Sequence, residues 1–411
     1  MKALIIGGGI GGLTTALTLT REGVECELFE QSQTIHELGV GINLLPHATK
    51  ALAALDLLDE LDRVAVRTYE LFYLNRFGQS LWHELRGAHA GHDFPQFSIH
   101  RGRLQSVLYE ATKARIGEQL IHTGHRLVDF SQSPQGVVAR FALRGSSGDT
   151  ITARGDVLIA ADGIHSTVRS ALYSNEGPPA WNGVMLWRGC ARYKPFLTGR
   201  TMVIAGGMNA KLVIYPIARE GDGVLLNWAV AAKLSDGSTP PPRREDWSRP
   251  GRLDDLLPHV EGVFHLPMVD PLDIIRATPE FYEYPMCDRD PLPRWSFDHV
   301  TLLGDAAHPM YPVGSNGASQ AILDAHSLGR HLKEKGDVVT ALAAYDGERR
   351  PATTRIVHDN RTGGPERVID MVEARAPDGF TQLQDVATHE ELEAIVKGYS
   401  KMAGFDRVKV Q

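Results

Sequence analysis

The chain has 411 residues, of which 43% are hydrophobic and 23% charged, a composition that allows two domains with substantial cores. Its net charge of -7 argues against a nucleic-acid-binding protein, which usually carries a basic patch. Three widely spaced cysteines provide neither a disulfide framework nor a zinc pattern, and the histidines at His83, His89 and His92 lack a partner that would complete a metal site. The chain begins without signal-peptide features, and no apolar run approaches the ~18 residues of a membrane span. We therefore expect a soluble, cytoplasmic protein without a metal.

The first thirty residues predict a strand, a glycine-rich turn, a helix and a second strand. Lys2 to Ile6 is a short apolar run typical of a buried strand, and the helix is expected over residues 13–21. The turn between them, Gly7-Gly8-Gly9-Ile10-Gly11-Gly12, fits the pattern G-x-G-x-x-G. In this context the pattern predicts dinucleotide binding, although the pattern alone does not separate NAD from FAD.

Each glycine of the pattern has its own role in such a site. Gly7 makes the tight turn, Gly9 lets a pyrophosphate approach the backbone, and Gly12 lets the helix pack closely on the sheet. The helix N-terminus offers N–H groups and the positive end of the helix dipole to the phosphates. Glu30, at the end of the second strand, is placed to accept hydrogen bonds from an adenosine ribose.

Two segments farther along could also contact a cofactor. In residues 38–44 two glycines bracket Val40, so the backbone either lies against a flat group or forms an ordinary loop before a helix. Residues 98–104 are expected to open a helix with Arg101 and Arg103 near its start, where the dipole disfavours cations. Cations there indicate an anionic partner, and Arg103 is our candidate for a cofactor phosphate; the alternative is a pair of solvated surface arginines.

Two later strands each lead into an aspartate. The expected strand at residues 156–161 contains the apolar run VLIAA and is followed by Asp162-Gly163, and residues 299–303 are followed by Gly304-Asp305. Carboxylates at the carboxyl ends of strands lie where α/β sheets bind ligands, while a simple helix cap is the alternative for Asp162. After Asp305 a turn-rich loop precedes an amphipathic helix.

The region between these aspartates predicts a second domain. Four successive strands with turn signals between them indicate an antiparallel sheet, expected over residues 183–192, 201–206, 211–216 and 224–232. A last strand near residue 284 contains Pro285, which implies an edge or a strand end. Aromatic and polar side chains on this sheet form either core or the wall of a pocket for a flat apolar substrate.

The G-x-G-x-x-G turn, the Asp162-Gly163 stretch and the Gly304-Asp305 stretch, in this order, resemble the FAD-dependent aromatic hydroxylases, the flavoprotein monooxygenases of the salicylate and para-hydroxybenzoate hydroxylase type. The resemblance covers nearly the whole chain. Several further stretches resemble the phenazine hydroxylases of pyocyanin formation most closely: LGVGIN at 38–43, SIHRG at 98–102, MLWRG at 185–189, YPMCDRDPLPRW at 284–295 and TLLGDAAHPMYPVGSNGASQAILD at 301–324.

This resemblance implies an α/β fold in which a Rossmann-like FAD-binding domain carries an inserted antiparallel-sheet substrate domain and C-terminal helices. It assigns residues 1–72, 98–178 and 290–365 to the FAD-binding domain and residues 73–97 and 179–289 to the substrate domain. Residues 366–411 would form a C-terminal helical segment.

The resemblance also implies a set of residues around non-covalently bound FAD. Glu30 and Gln31 would lie at the ribose, Arg103 near the pyrophosphate and Asp305 at the ribityl hydroxyls. The remaining cofactor-binding residues would be Gly7, Gly9, Ile10, Gly11, Gly12, Val40, Gly41, Ile42, Asp162, Gly163, Gly304, Pro312, Gly314, Gly317 and Ala318. The substrate would be lined by Trp187, Arg188, Tyr215, Trp228, Tyr284 and Pro312.

The implied reaction is NAD(P)H- and O2-dependent hydroxylation of a small aromatic or N-heteroaromatic ring through a flavin C4a-hydroperoxide, with a carboxylated, phenazine-like ring as the candidate substrate. An anionic substrate could bind Arg188 or Arg192. No side chain is assigned as catalytic, because the flavin carries the chemistry. The alternatives are a reductase or dehydrogenase that does not activate O2, a flavin-dependent halogenase and a non-catalytic flavin-binding regulator. The protein is expected to be a monomer or homodimer.

Overall fold

The computed structural model describes residues 1–35, 39–145, 148–242 and 246–406. Leu38 of the LGVGIN stretch, the predicted turn at Ser146 and Ser147, and the C-terminal residues from Arg407 onward lie outside the described residues.

The strands of the described residues are numbered here in chain order. They are β1 (Lys2–Ile6), β2 (Glu25–Phe29), β3 (Gly41–Leu44), β4 (Val66–Arg67), β5 (Glu70–Asn75), β6 (Ser80–Leu85), β7 (Phe97–His100), β8 (Ile121–His122), β9 (His125–Ser133), β10 (Gly136–Leu143), β11 (Thr150–Gly155), β12 (Val157–Ala160), β13 (Ala180–Tyr193), β14 (Thr201–Gly206), β15 (Ala210–Glu220), β16 (Gly223–Lys233), β17 (Phe281–Asp288), β18 (Ser296–Phe297) and β19 (Val300–Leu302).

The helices are numbered in the same way. They are α1 (Ile10–Arg21), α2 (Pro46–Ala53), α3 (Leu58–Val64), α4 (Arg101–Ile116), α5 (Thr167–Leu172), α6 (Leu253–Leu256), α7 (Pro271–Arg276), α8 (Gly317–Lys335), α9 (Val338–Arg361), α10 (Arg367–Arg375) and α11 (His389–Ala403). None of these helices combines the length and the apolar character that a membrane span needs.

A six-stranded sheet, ordered β18-β19-β12-β1-β2-β8, forms the centre of the first half of the fold. β1 lies between β2 and β12 and runs parallel to both, and β19 extends the parallel order beyond β12. Residues such as Leu4 and Ile5 are fully buried, as expected for parallel strands covered on both faces. Because the carboxyl ends of β1, β12 and β19 lie at one edge, the glycine turn, Asp162 and Asp305 come together there.

A seven-stranded sheet, ordered β17-β13-β16-β15-β14-β5-β6, forms the second half. It is antiparallel, as predicted, except that β5 runs parallel to β14. β17, which contains Pro285, is an edge strand of this sheet, as the proline indicated. Because β5 begins at Glu70, the predicted domain boundary after residue 72 falls inside a strand. The division into domains therefore remains a proposal, with a boundary before Glu70 fitting the sheet better.

The remaining elements pack around the two sheets. α8 carries Ala321, Ala325, Leu328 and Leu332 on its buried face, as its sequence pattern predicted, and α11 begins with a capping box between Thr388 and Glu391. The expected start of a helix at residue 98 is wrong, because Phe97–His100 forms a strand that pairs with β3 and β4. α4 begins only at Arg101.

Candidate active site

A cavity of about 690 Å³ lies between the carboxyl edge of the parallel sheet and one face of the seven-stranded sheet. Most of the predicted cofactor residues line it: Gly9, Ile10, Gly11, Gln31, Val40, Gly41, Ile42, Asp162, Gly163, Gly304, Asp305, Pro312, Gly317 and Ala318. Gly7, Gly12, Glu30, Arg103 and Gly314 are not part of its lining. The contribution of these five residues to cofactor binding therefore stays a prediction.

Two carboxyl groups lie at the sheet edge of the cavity. Asp162 follows β12, and its Oδ2 accepts a hydrogen bond of 2.8 Å from the Thr167 backbone, whereas its buried Oδ1 has no partner among the described residues. Burial raises the pKa of Asp162. Burial also raises the pKa of Asp305, although His308 and Arg101 act in the opposite direction. Buried acceptors of this kind fit hydroxyl groups of a bound sugar or ribityl chain.

Two helix N-termini open toward the same cavity. Neither the Gly9 cap of α1 nor the Asn316 cap of α8 uses a side chain to satisfy the first N–H groups. The free N–H groups and the positive ends of both helix dipoles are therefore available to negatively charged groups. This arrangement fits a pyrophosphate at α1 and developing negative charge on a reduced ring system at α8.

The glycines show that the cavity can accept a large, flat ligand close to the backbone. A Cβ placed on Gly9, Gly163 or Gly317 would meet no atom within 4 Å, so the space in front of each is open. Gly7 and Gly12 have a different role: Gly7 has a φ of +108°, and a Cβ on Gly12 would lie 1.9 Å from the Gly7 carbonyl oxygen. These two glycines shape the turn, as predicted. The residues present therefore fit FAD.

The Glu30 side chain does not point freely into the cavity but is bound to the backbone of its neighbours. Its carboxylate accepts hydrogen bonds of 2.7 Å from the backbone N–H groups of Gly8 and Ser32. It therefore holds the glycine turn against the end of β2. Contact with the ribose remains a prediction, and Gln31 is the neighbour that lines the cavity.

Arg101, and not Arg103, faces the cavity. Arg101 is part of the lining, and its pKa is lowered by burial. Arg103 lies two residues later, or about 200° around the helix, and pairs with Glu220 at 3.5 Å. The choice of Arg103 as the residue near the pyrophosphate is therefore not supported by its placement. The buried Leu104 and Leu108 on α4 mark the inward face and could have indicated the helix phase.

The faces of the seven-stranded sheet separate the predicted substrate residues. Successive side chains of a strand point to opposite faces, so Trp187 and Arg188 cannot both face the cavity. Arg188, Tyr215, Tyr284 and Pro312 line the cavity. Trp187 and Trp228 belong to the core on the opposite face, where their indole N–H groups bond Glu283 and Thr278. The assignment of Trp187 and Trp228 to the substrate site is therefore wrong.

Gly41 joins the two halves of the site. Its N–H donates a hydrogen bond of 2.6 Å to Asn227 Oδ1, and its carbonyl oxygen accepts one from the Arg188 guanidinium. Arg188 also donates to the Tyr284 hydroxyl at 3.3 Å. The Nε of Arg188 and the Nδ2 of Asn227 are buried without partners among the described residues. Arg188 and Asn227 both line the cavity, and a guanidinium and a side-chain amide are groups that bind an anionic or carbonyl oxygen of a ligand. Arg192 instead lies exposed beside Asp222.

Replacing Gly41 with alanine is expected to destabilise the protein and weaken ligand binding. The new Cβ would lie 2.6 Å from Asn227 Cβ and 2.7 Å from a methyl group of Ile217. β3 would therefore have to move away from the seven-stranded sheet. Such overpacking costs about 1–3 kcal/mol. Urea unfolding measures the loss, and Gly398→Ala in α11 is the control, because a Cβ there meets nothing within 4 Å. Equal stability of Gly41→Ala and the wild type would contradict this description.

Several cavity residues were not anticipated from the sequence, and Trp247 and Glu366 are two of them. Trp247 lies between β16 and α6, and Glu366 lies in a short turn between α9 and α10. Neither lies in a recognisable motif. Their positions depend on contacts between segments distant in the chain.

A groove for a dinucleotide that ends in a largely apolar chamber is the arrangement that a flavin-dependent oxidoreductase requires. Consistent with this class, the family model for the FAD binding domain matches residues 1–184 and 286–360. The chain belongs to this family and, as its curated relatives show, to the FAD-dependent aromatic hydroxylases. FAD is the cofactor, and NAD(P)H and O2 are the usual co-substrates of these enzymes.

The chain is similar to several characterised proteins over most of its length. It is 41% identical to phenazine 1,6-dicarboxylic acid hydroxylase PhzS of Lysobacter antibioticus, covering 87% of this chain and 88% of that protein. It is 30% identical to 3-hydroxybenzoate 6-hydroxylase of Klebsiella oxytoca, covering 89% and 88%. Among solved structures, Klebsiella pneumoniae HpxO complexed with FAD and uric acid matches with a TM-score of 0.75 and 22% identity over 99% of this chain and 98% of HpxO. That last similarity shows the fold.

Proposed function

We propose that this monooxygenase hydroxylates a planar, carboxylated N-heteroaromatic compound of the phenazine type. The observation that carries the proposal is the half-buried Arg188, whose guanidinium belongs to the lining of a cavity with a mainly apolar surface. The identity of 41% to a phenazine dicarboxylic acid hydroxylase supports the same class of substrate. The substrate carboxylate would bind Arg188, with its ring system against the apolar part of the sheet.

In the proposed reaction the residues of the chain bind and orient the substrate and exclude water from it. FAD, when bound, supplies the chemistry by accepting a hydride from NADH or NADPH and activating O2. Arg188 and the Tyr284 hydroxyl orient the substrate through directional hydrogen bonds. Ile204, Val213 and Ala229 present an apolar surface that holds the flat ring and excludes water.

The experiment is NADH and NADPH oxidation by the purified FAD-loaded protein in air, with phenazine, quinoline, salicylate-like and phenolic acids. We expect a phenazine acid to stimulate oxidation and to yield a product one oxygen heavier or with hydroxyl in place of carboxylate. Hydrogen peroxide as the sole product for every phenazine acid would overturn the substrate class. Oxidation of NAD(P)H that continues without O2 and without hydroxylated product would favour the reductase alternative.

Replacing Arg188 with methionine is expected to raise KM for carboxylated substrates about 10- to 100-fold, because a hydrogen bond to a charged group contributes about 1.5–3 kcal/mol. Arg188→Lys, which keeps the charge, should show a smaller increase. KM for the same ring without its carboxylate should change little. Equal increases for both compounds would mean that Arg188 holds Gly41 but does not bind the carboxylate.

We further propose that the enzyme acts in the cytoplasm as a monomer or homodimer, without nucleic-acid or membrane partners. NAD(P)H is an intracellular co-substrate, which supports the cytoplasmic location. The net charge of -7 supports the absence of a nucleic-acid partner. Cell fractionation tests the location, and light scattering of the purified protein measures its mass.

A further inference from the structure

Trp247 is a large aromatic side chain at the outer part of the cavity. It lines the cavity and is 45% exposed, which is unusual for a side chain of this size. Its ring lies 4.4 Å from the ring of Tyr284, measured between centroids, with 53° between the planes. The indole therefore contacts Tyr284 and keeps a substantial accessible apolar area while forming part of the cavity wall.

The segment after Trp247 is held against the edge of the seven-stranded sheet. The Glu283 N–H donates to the Arg249 carbonyl oxygen at 3.0 Å, and the Gly251 N–H donates to the Phe281 carbonyl oxygen at 2.7 Å. Pro250 forms a bridge with Tyr282 between these two bonds. These contacts extend the sheet beyond β17 and fix the chain two residues after Trp247. The position of the indole beside Tyr284 follows from this pairing.

Arg188, Tyr284 and Trp247 form a continuous row. Arg188 donates to the Tyr284 hydroxyl, and the Tyr284 ring contacts Trp247. A carboxylate on Arg188 would place the ring that bears it beside Tyr284. Additional fused rings would then extend toward Trp247, whereas a single-ring acid would end before the indole. Flat aromatic surfaces stack favourably on an indole ring and remove its apolar area from water.

We propose that Trp247 is a specificity-determining residue that packs against the outer rings of the substrate and makes the enzyme prefer fused-ring over single-ring aromatic acids. The inference rests on the proposed function, because it requires the carboxylate to be bound at Arg188. Beyond that function, one side chain outside the recognised motifs would discriminate between substrates with one ring and substrates with several fused rings.

The test compares the FAD-loaded wild type with Trp247→Ala and Trp247→Phe. Dissociation constants for phenazine-1-carboxylate and salicylate are measured from the change in flavin absorbance on binding, so turnover is not needed. Trp247→Ala should weaken phenazine-1-carboxylate binding about tenfold and change salicylate binding less than about twofold. Trp247→Phe should retain most of the affinity, because a smaller aromatic ring remains. Trp181→Phe, at a half-buried tryptophan outside the cavity lining, is the control and should alter neither constant.

The outcomes separate this inference from the proposed function. A wild type that binds and hydroxylates phenazine-1-carboxylate, with Trp247→Ala binding it equally well, would overturn the role of Trp247 alone. An equal loss for both ligands would also overturn it, since that result indicates a structural effect. A wild type that binds salicylate more tightly than phenazine-1-carboxylate would overturn both the inference and the proposed substrate class.

Discussion

Replacing Glu366 with glutamine is expected to make the protein more stable above pH 7 and to have little effect near pH 4.5. Glu366 is 9% exposed and lines the cavity. Burial raises the pKa of its carboxyl group from 4.5 to about 7, although Lys211 and a hydrogen bond from the Gly314 backbone oppose this effect. Asp370, Tyr73 and Tyr399 are the other titratable groups that interact with it.

The direction of this pH dependence of stability follows from proton binding. Because the folded-state pKa is higher than that of the unfolded chain, the folded protein binds this proton more tightly. The contribution of Glu366 to stability is therefore fully present below about pH 4.5 and is lost as the pH rises through about 7. At about 1.4 kcal/mol per pKa unit, the loss at pH 8 is about 3 kcal/mol. Glutamine cannot ionise, so Glu366→Gln avoids this loss.

Urea unfolding at pH 5 and pH 8, with FAD in equal excess, measures the difference. The gain of Glu366→Gln over the wild type should appear at pH 8 and shrink toward pH 5. Glu60→Gln, at an exposed carboxyl group on α3, should show no comparable difference. Parallel pH dependences for the wild type and Glu366→Gln would show that the Glu366 carboxyl is not held neutral by burial.

Asp324→Asn is expected to destabilise the protein by about 3–5 kcal/mol, the usual cost of breaking a buried ion pair. Asp324 is fully buried on α8. Its carboxylate contacts His308 Nε2 at 2.5 Å, Arg349 Nε at 2.7 Å and the Gly304 N–H at 3.1 Å. Burial raises its pKa, but His308 and Arg349 together lower it below its usual value. Removing the charge leaves Arg349 buried without its anionic partner.

The same substitution should weaken FAD binding, because Asp324 holds the turn that carries Asp305. Unfolding in urea and FAD titration of the apoprotein by flavin fluorescence measure the two effects. Arg330→Gln on the same helix is the control, because Arg330 is 41% exposed and belongs to a surface ion pair worth about 0–1 kcal/mol. A small stability change for Asp324→Asn, similar to that of Arg330→Gln, would refute the role assigned to this buried pair.

Most residues predicted from the sequence to bind the cofactor line one cavity, and the reason is physical. Strands β1, β12 and β19 each end directly before a motif, and parallel strands place their carboxyl ends at one edge. Local patterns thus determined a tertiary arrangement. Strand alternation forbids the adjacent Trp187 and Arg188 from sharing a face, so the sequence already excluded one of them from the cavity. The choice of Arg103 over Arg101 overlooked the phase of α4, because Arg101 shares the inward face with Leu104 and Leu108.

Other parts of the site could not be predicted in this way. Trp247 is positioned by backbone pairing of residues 249–251 with β17, more than thirty residues farther along the chain. Glu366 lies in a turn whose approach to the cavity depends on the packing of α9 and α10. No periodic pattern or motif surrounds either residue. Their side-chain directions arise from tertiary contacts, which a single sequence does not reveal.

The alternation of the seven-stranded sheet has a consequence for how such an enzyme diversifies. Along β16 the cavity-facing Ala229 and Ala231 alternate with Trp228 and Val230, which form the core on the opposite face. Substitutions at the first set alter the shape of the chamber without creating holes in the core behind it. Mutations at these positions can therefore change which ring systems bind while the protein stays folded. A directed library restricted to these positions should yield many folded proteins with altered substrate ranges.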